Sequence, residues 1–168
     1  DVSLFSTPVL LENGNYVFFQ MDKNGLYMCT SDVSGILEAK FISEIEDYEA
    51  KKNLRKLEGF RLENGEYVIL LRAAETLSVI DYYGFRVKTD GSIETISDIV
   101  YEKAWAIGNK VVMSNGEYQE NCPLSVICED NEVISVEITG HKDHIHYISA
   151  IGEGRYCIVG NSNTVTVT

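Results

Sequence analysis

The chain repeats itself, and a repeat constrains a fold more tightly than composition does, because every copy must build the same unit. Leu11-Glu12-Asn13-Gly14-Asn15-Tyr16-Val17-Phe18 returns as Leu62-Glu63-Asn64-Gly65-Glu66-Tyr67-Val68-Ile69. It weakens to Ile107-Gly108-Asn109-Lys110-Val111-Val112, then returns as Ile151-Gly152-Glu153-Gly154-Arg155-Tyr156-Cys157-Ile158. Measured between Gly14, Gly65, Gly108 and Gly154, the spacings are 51, 43 and 46 residues.

Each copy reads as two strands around a tight turn. An apolar run ends, Asn-Gly or Gly-Glu-Gly supplies residues that tolerate positive φ, and a β-branched and aromatic run follows. The same logic continues through the first unit. A strand from Tyr16 to Met21 is followed by the turn Asp22-Lys23-Asn24-Gly25, a strand from Leu26 to Thr30, a turn from Ser31 to Gly35 and a strand from Ile36 to Ile42. In the second unit, Tyr67 to Arg72 leads through a longer connection to Gly84–Lys88, the turn Thr89-Asp90-Gly91-Ser92, and Ile93–Ile99.

About four short strands per unit, at a period of ~40–50 residues, is the rhythm of four-stranded β-propeller blades. The expected fold is therefore all-β, with about four propeller-like blades of four antiparallel strands. Their approximate spans are 6–45, 54–99, 103–138 and 145–168, as part of a larger ring. One helix is expected, from Glu44 to Leu57, where Ile45, Tyr48, Leu54 and Leu57 fall loosely on one side and the inter-unit spacing is longest. Pro8 and Pro123 stand at strand starts, where a missing N–H is tolerated. Val2 and Leu4 alternate as a half-buried strand does. The fourth unit stops at a third strand, so residues 1–5 are expected to supply its outer strand. A partial ring would expose the apolar faces of its end blades, which implies self-association or cover by further blades from another chain.

The last quarter resembles a WD-repeat blade. Leu124-Ser125-Val126-Ile127-Cys128 and Val133-Ile134-Ser135-Val136-Glu137-Ile138 correspond to its third and fourth strands, and Thr139-Gly140-His141 falls at the Gly-His pair. Ile145, Ile148 and Gly154-Arg155-Tyr156-Cys157-Ile158-Val159-Gly160 match the spacing of the next two strands, and Asn163 stands where the family places an aspartate that bonds the histidine. The Trp-Asp dipeptide is missing throughout, so motif-level agreement covers about residues 124–168 only.

Composition narrows the function. With 45% hydrophobic and 24% charged residues the chain has ordinary globular content. Its longest apolar run, Tyr67 to Leu71, is far short of the ~20 residues of a spanning helix. A formal charge of −12 repels phosphate backbones and anionic bilayers, so neither nucleic acid nor membrane is an expected partner. The cations Lys51, Lys52, Arg55, Lys56 and Arg61 cluster in one stretch that reads as a solvated connection. Cysteines at 29, 122, 128 and 157 have no zinc-site spacing and read as buried thiols. The chain opens at Asp1 with neither a methionine nor a signal-peptide apolar core, which reads as a piece processed or excised from something longer.

His141, His144 and His146 are the chain's three histidines. In an extended segment His144 and His146 would share a face and could reach one metal. The plainer expectation makes His141 the Gly-His residue, leaves the other two on a strand edge, and assigns no metal. Carboxylates Asp47, Glu49, Asp81, Asp98, Glu102, Glu129 and Asp130 fall at connections, but no nucleophile elbow, phosphate loop or His-Glu-x-x-His motif accompanies them, and no cofactor is expected. Aromatics and arginine near loops are the residue types that anchor partners, which singles out Tyr82, Tyr83, Arg86, Tyr101, Trp105 and Tyr118. The resemblance to WD-repeat scaffolds implies a non-enzymatic module that docks a protein or peptide on a propeller face. The alternative is a propeller enzyme or carbohydrate-binding domain using loop carboxylates and tyrosines.

Overall fold

The structure is a computed structural model that describes residues 3–46, 54–76, 79–115, 122–138, 144–152, 155–160 and 165–167. These residues form four antiparallel sheets and no helix. The first contains β1 (Leu4–Phe5), β2 (Val9–Leu10), β3 (Tyr16–Asp22), β4 (Gly25–Asp32) and β5 (Gly35–Ser43). The second is built from β6 (Leu54–Arg61), β7 (Tyr67–Thr76), β8 (Val79–Val87) and β9 (Ile93–Ile96). The third holds β10 (Lys103–Ile107), β11 (Lys110–Ser114), β12 (Cys122–Ile127) and β13 (Val133–Ile138). The fourth has β14 (Ile145–Gly152), β15 (Arg155–Gly160) and β16 (Val165–Val167). Within each sheet the strands pair in sequence order, apart from β1, which shares an edge of β3 with β2.

One turn design recurs because its residues dictate it. Leu11 N–H donates to Asn15 O at 2.8 Å and Gly14 N–H to Leu11 O at 3.0 Å. Lys88, Gly91 and Ser92 repeat the pattern between β8 and β9, and Cys128, Asn131 and Glu132 repeat it between β12 and β13. The fourth position is left-handed each time, at Gly14 (φ 83°), Gly91 (φ 85°) and Asn131 (φ 68°). Glycine and asparagine reach that region at least cost. The residue before it caps the turn: Asn13, Asp90 and Asp130 each accept from the backbone N–H two positions on.

Three expectations are corrected. Leu54 to Leu57 belongs to β6, whose ladder to β7 runs from Leu54–Ala74 to Arg61–Tyr67. A continuous ladder satisfies every second backbone group that a helix would have satisfied internally. Residues 47–53 of the expected helix lie outside the described residues. By the same pairing Arg55, Lys56 and Arg61 are strand residues and not a loose connection, while Lys51 and Lys52 lie outside the described residues. Leu4 and Phe5 pair with Met21 and Gln20 of β3, and so they extend the first sheet in place of completing the last one. Ser6 interrupts this edge: its N–H donates to Phe19 O and its Oγ accepts from Phe19 N–H, both at 2.9 Å. Beyond the break, Val9 and Leu10 resume pairing with Val17 and Tyr16.

The chain divides into two compact units, one of residues 1–61 and 65–96, the other of 62–64 and 97–168. In the first unit, alternate residues of β3 (Val17, Phe19, Met21) pack with Leu57 of β6, Tyr67, Ile69 and Leu71 of β7, and Phe85 and Val87 of β8. Phe19 meets Tyr67 edge-on, ring centroids 6.1 Å apart. A lysine from the first sheet, Lys40, donates to Gly91 O at the β8–β9 turn. The opposite face of the second sheet is buried as well, since Val68, Leu70 and Arg86 are solvent-inaccessible. In the second unit Val112, Leu124, Val126 and Ile138 pack against Ile145, Ile148 and Ile158.

Candidate functional site

The strand register of the third sheet sorts its side chains without ambiguity, because alternate residues share a face. Val112 lies opposite Val126 and Val126 opposite Ile134, while Leu124 lies opposite Val136 and Ile107 opposite Lys110. These residues, with Ile138, therefore form one face. Ile148 and Ile158, themselves a cross-strand pair of the fourth sheet, look back at it together with Tyr156.

The two sheets meet at their first strands and part toward the others. At the closed end β10 and β14 are in contact, and Lys103 Nζ donates to Ile145 O at 3.3 Å and to His146 Nδ1 at 3.0 Å. Ile145 and Ile148 are buried there. On the outermost strand, β13, the same face is open: Ile134 is 38% exposed and Val136 39%. Between the sheets lies a wedge of about 240 Å³.

The wedge is aliphatic except for Lys110 and Tyr156. Both come from the repeat, at the position two residues after Gly108 and Gly154, where the first and second units carry Tyr16 and Tyr67. Lys110 is exposed at the start of β11. Among the described residues no carboxylate lies within ion-pair distance of it.

No family model matches this sequence, and no curated protein matches it. Solved structures do. A luciferin-regenerating enzyme superposes with a TM-score of 0.60 at 12% identity, over 99% of this chain and 59% of its own. A catalytically inactive virginiamycin B lyase from Staphylococcus aureus with quinupristin gives a TM-score of 0.38 at 12% identity, covering 99% and 70%. A streptogramin B lyase gives 0.39 at 11%, covering 98% and 68%. The last two superpose too loosely to carry an argument, and at 12% identity the first shows the fold alone. The chain is β-propeller-like. It spans 59% of the length of the luciferin-regenerating enzyme.

On this propeller-like framework the residues singled out from sequence are dispersed. Two are in the interior, which corrects their reading as surface anchors. Tyr101 is 1% exposed, and Arg86 is fully buried with Nη1 2.9 Å from Glu66 Oε2. An arginine beside aromatics has the composition of a partner anchor, but here a carboxylate twenty residues earlier compensates its charge inside the fold. Tyr82 and Tyr83 are half-buried on β8, and Tyr83 packs on the first unit's core. Trp105 packs on the core beside the wedge. Tyr118 and His141 lie outside the described residues, as do Gly140 and Asn163 of the WD-repeat resemblance.

A face shared by His144 and His146 would need an unbroken extended segment. His144 precedes β14, and a register shift between Ile145 and Tyr147 takes His146 out of the alternation, so that His146 and Tyr147 are both exposed. His146 Nδ1 is engaged by Lys103. Among the described residues no three histidine, cysteine or carboxylate side chains gather as a metal site would require. Several turn carboxylates have structural work. Asp32 and Asp90 are held below the usual carboxylate range by hydrogen bonds from the Ser34 and Ser92 side chains and backbones.

The wedge was not anticipated. Its signal in the sequence was present but faint: Ile134, Val136 and Ile138 alternate on an outermost strand, and lysine replaces the repeat's tyrosine at position 110.

Proposed function

We propose that this chain is a non-enzymatic interaction module that takes an apolar segment of a protein or peptide into the wedge of its second unit. The observation that carries this reading is the open aliphatic face of β13, with Ile134 and Val136 exposed opposite a second apolar sheet. Binding sites are concave and mostly apolar, with a few polar groups to fix orientation. At about 240 Å³ the wedge falls just below the ~300–1,000 Å³ of pockets for drug-sized ligands, so it suits one or two partner side chains. The WD-repeat resemblance supports the same reading, because residues 124–168 supply β12, β13, β15 and most of the wedge wall.

Selection of random peptides on the immobilised 168-residue chain tests it. Enriched sequences should carry aliphatic residues at alternate positions, and Ile134→Asp or Val136→Asp should abolish their capture while circular dichroism stays unchanged. Both side chains are more than a third exposed, and the circular dichroism control separates loss of binding from loss of fold. Absence of peptide enrichment, with a strong signal on a glycan array, would replace this reading with a carbohydrate-binding domain or a propeller enzyme.

A further inference from the structure

The first sheet is apolar on both faces. Cross-strand partners share a face, and the register puts Val17 with Thr30 and Glu38, and Phe19 with Met28 and Lys40, on the side that packs against the second sheet. The other side is aromatic: Phe5 and Phe18 stand with ring centroids 6.1 Å apart, and Tyr27 meets Phe41 edge-on at 5.6 Å. Leu10, Tyr16 and Ile36 extend the same face. An antiparallel sheet with one solvated face sends its charged residues to that face and its apolar ones to the core. The outermost strand, β5, does the reverse. Its Glu38 and Lys40 are on the core side, where Lys40 donates to Gly91 O, while Ile36 and Phe41 are on the other. Among the described residues of the sheet only Asp22 brings a charge to the aromatic face, at the β3–β4 turn, where it caps Asn24 N–H. The second sheet is likewise apolar on both faces, and both are buried.

We propose that the aromatic face of the first sheet docks a second copy of the chain, like face to like face, in a two-fold dimer. Phe5, Leu10, Tyr16, Ile36 and Phe41 are each 37% to 60% exposed. Taking ~200 Å² for each large side chain, their open fractions amount to about 500 Å² of apolar surface, the upper end of what a soluble monomer leaves bare. A two-fold contact uses the same patch on both copies. The five side chains alone then bury about 1,000 Å² in total, the size at which an interface becomes specific. Charge selects the same face. Each copy carries −12, so contact through most of the surface would appose carboxylates. Away from Asp22 this face has none to appose, and two copies meet there without the like-charge cost. Sheets stacked face to face stand ~10 Å apart, room for the two sets of aromatic rings to interdigitate. No residue of the wedge takes part, so the dimer and the peptide site stand or fall separately.

Analytical ultracentrifugation of the 168-residue chain across a dilution series tests the proposal. The chain should pass between its mass of 18.8 kDa and twice that mass, with no larger species. Leu10→Glu and Phe41→Glu, each checked for an unchanged fold by circular dichroism, should weaken the dimer by about tenfold or more, because a two-fold contact buries each new carboxylate twice. Val33→Glu adds the same charge at the exposed β4–β5 turn, off this face, and should leave the dimer as it is. Hydroxyl-radical footprinting should show Phe5, Tyr16 and Phe41 protected at dimer concentrations, with the exposed Tyr147 and Tyr156 of the fourth sheet unchanged. A monomer at every concentration overturns the proposal. So does a dimer that survives both Leu10→Glu and Phe41→Glu, one that Val33→Glu weakens equally, or one that protects Tyr147 or Tyr156, since that would pair this face with a different surface.

Discussion

The ring of Phe19 occupies the space that a side chain at Gly59 would need: a Cβ built on Gly59 falls within bonding-like distance of two ring carbons. A strand of the second sheet thus approaches a core aromatic of the first through the one residue that permits it. Gly59→Ala should destabilise the chain by about 1–3 kcal/mol, the usual cost of forcing extra atoms into a packed core. Urea denaturation measures this. Gly14→Ala offers the contrast, since its Cβ would meet nothing within 4 Å and only the positive φ resists it.

The Arg86–Glu66 pair should be sensitive to loss of one partner and tolerant of loss of both. Arg86 is wholly inaccessible, and Glu66 retains 16% side-chain exposure. Glu66→Ala leaves a buried guanidinium short of its counter-charge and should cost about 3 kcal/mol, the lower end for a buried pair because water still reaches the carboxylate side. Arg86→Met combined with Glu66→Gln should recover most of that loss. Denaturation midpoints of the single and double variants give the coupling between them.

Glu58 supplies a pH dependence. Burial raises its carboxyl above the usual range, and the Lys56 ammonium 3.1 Å away offsets this only in part. A raised value in the folded chain means that folding favours the protonated form. The stability it confers is complete below the unfolded value of ~4.3 and is lost as pH climbs through the folded one. Glu58→Gln should therefore stabilise the chain at pH 7 and lose its advantage below about pH 4. Thermal denaturation at both pH values reads the difference.

Thiol reactivity should follow burial. Cys29 is 1% exposed and burial pushes its thiol up, whereas Cys128 and Cys157 are half-buried. The thiolate is the reacting species. A maleimide at neutral pH should modify Cys29 last among these three, with mass spectrometry after proteolysis giving the order. Unfolding in urea should erase the lag.

What could be read in the sequence was whatever is fixed within a few residues. Asn13-Gly14 and Asp90-Gly91 specify their turns by their own backbone preferences and side-chain caps, so the turns stand where they were expected. Leu54 and Leu57 read as helical because a spacing of three shares a helix face, whereas in a strand it puts the two on opposite faces. The ladder to β7 that decides the matter is made with residues some twenty positions away. Arg86 was placed on the surface because nothing adjacent to it announces Glu66. The wedge was hidden for a related reason: Ile134 and Val136 alternate as any half-buried strand does, and only the parting of two sheets leaves them uncovered. Lys110 was legible as a departure from the repeat, but a departure in a weak copy reads as decay until its position is known.

The pairing of strands in sequence order within each sheet bears on how the chain reaches its structure. Even the widest ladders, those starting at Leu54–Ala74 and Tyr67–Val87, join segments close together in the chain. Loop-closure entropy is correspondingly small for every sheet, and that is the term that slows most all-β proteins. Each sheet can zip from its own turn before any face is buried. The kinetic barrier then belongs to the docking of preformed sheets, and amide protons of β7, paired on both sides within a buried sheet, should exchange last.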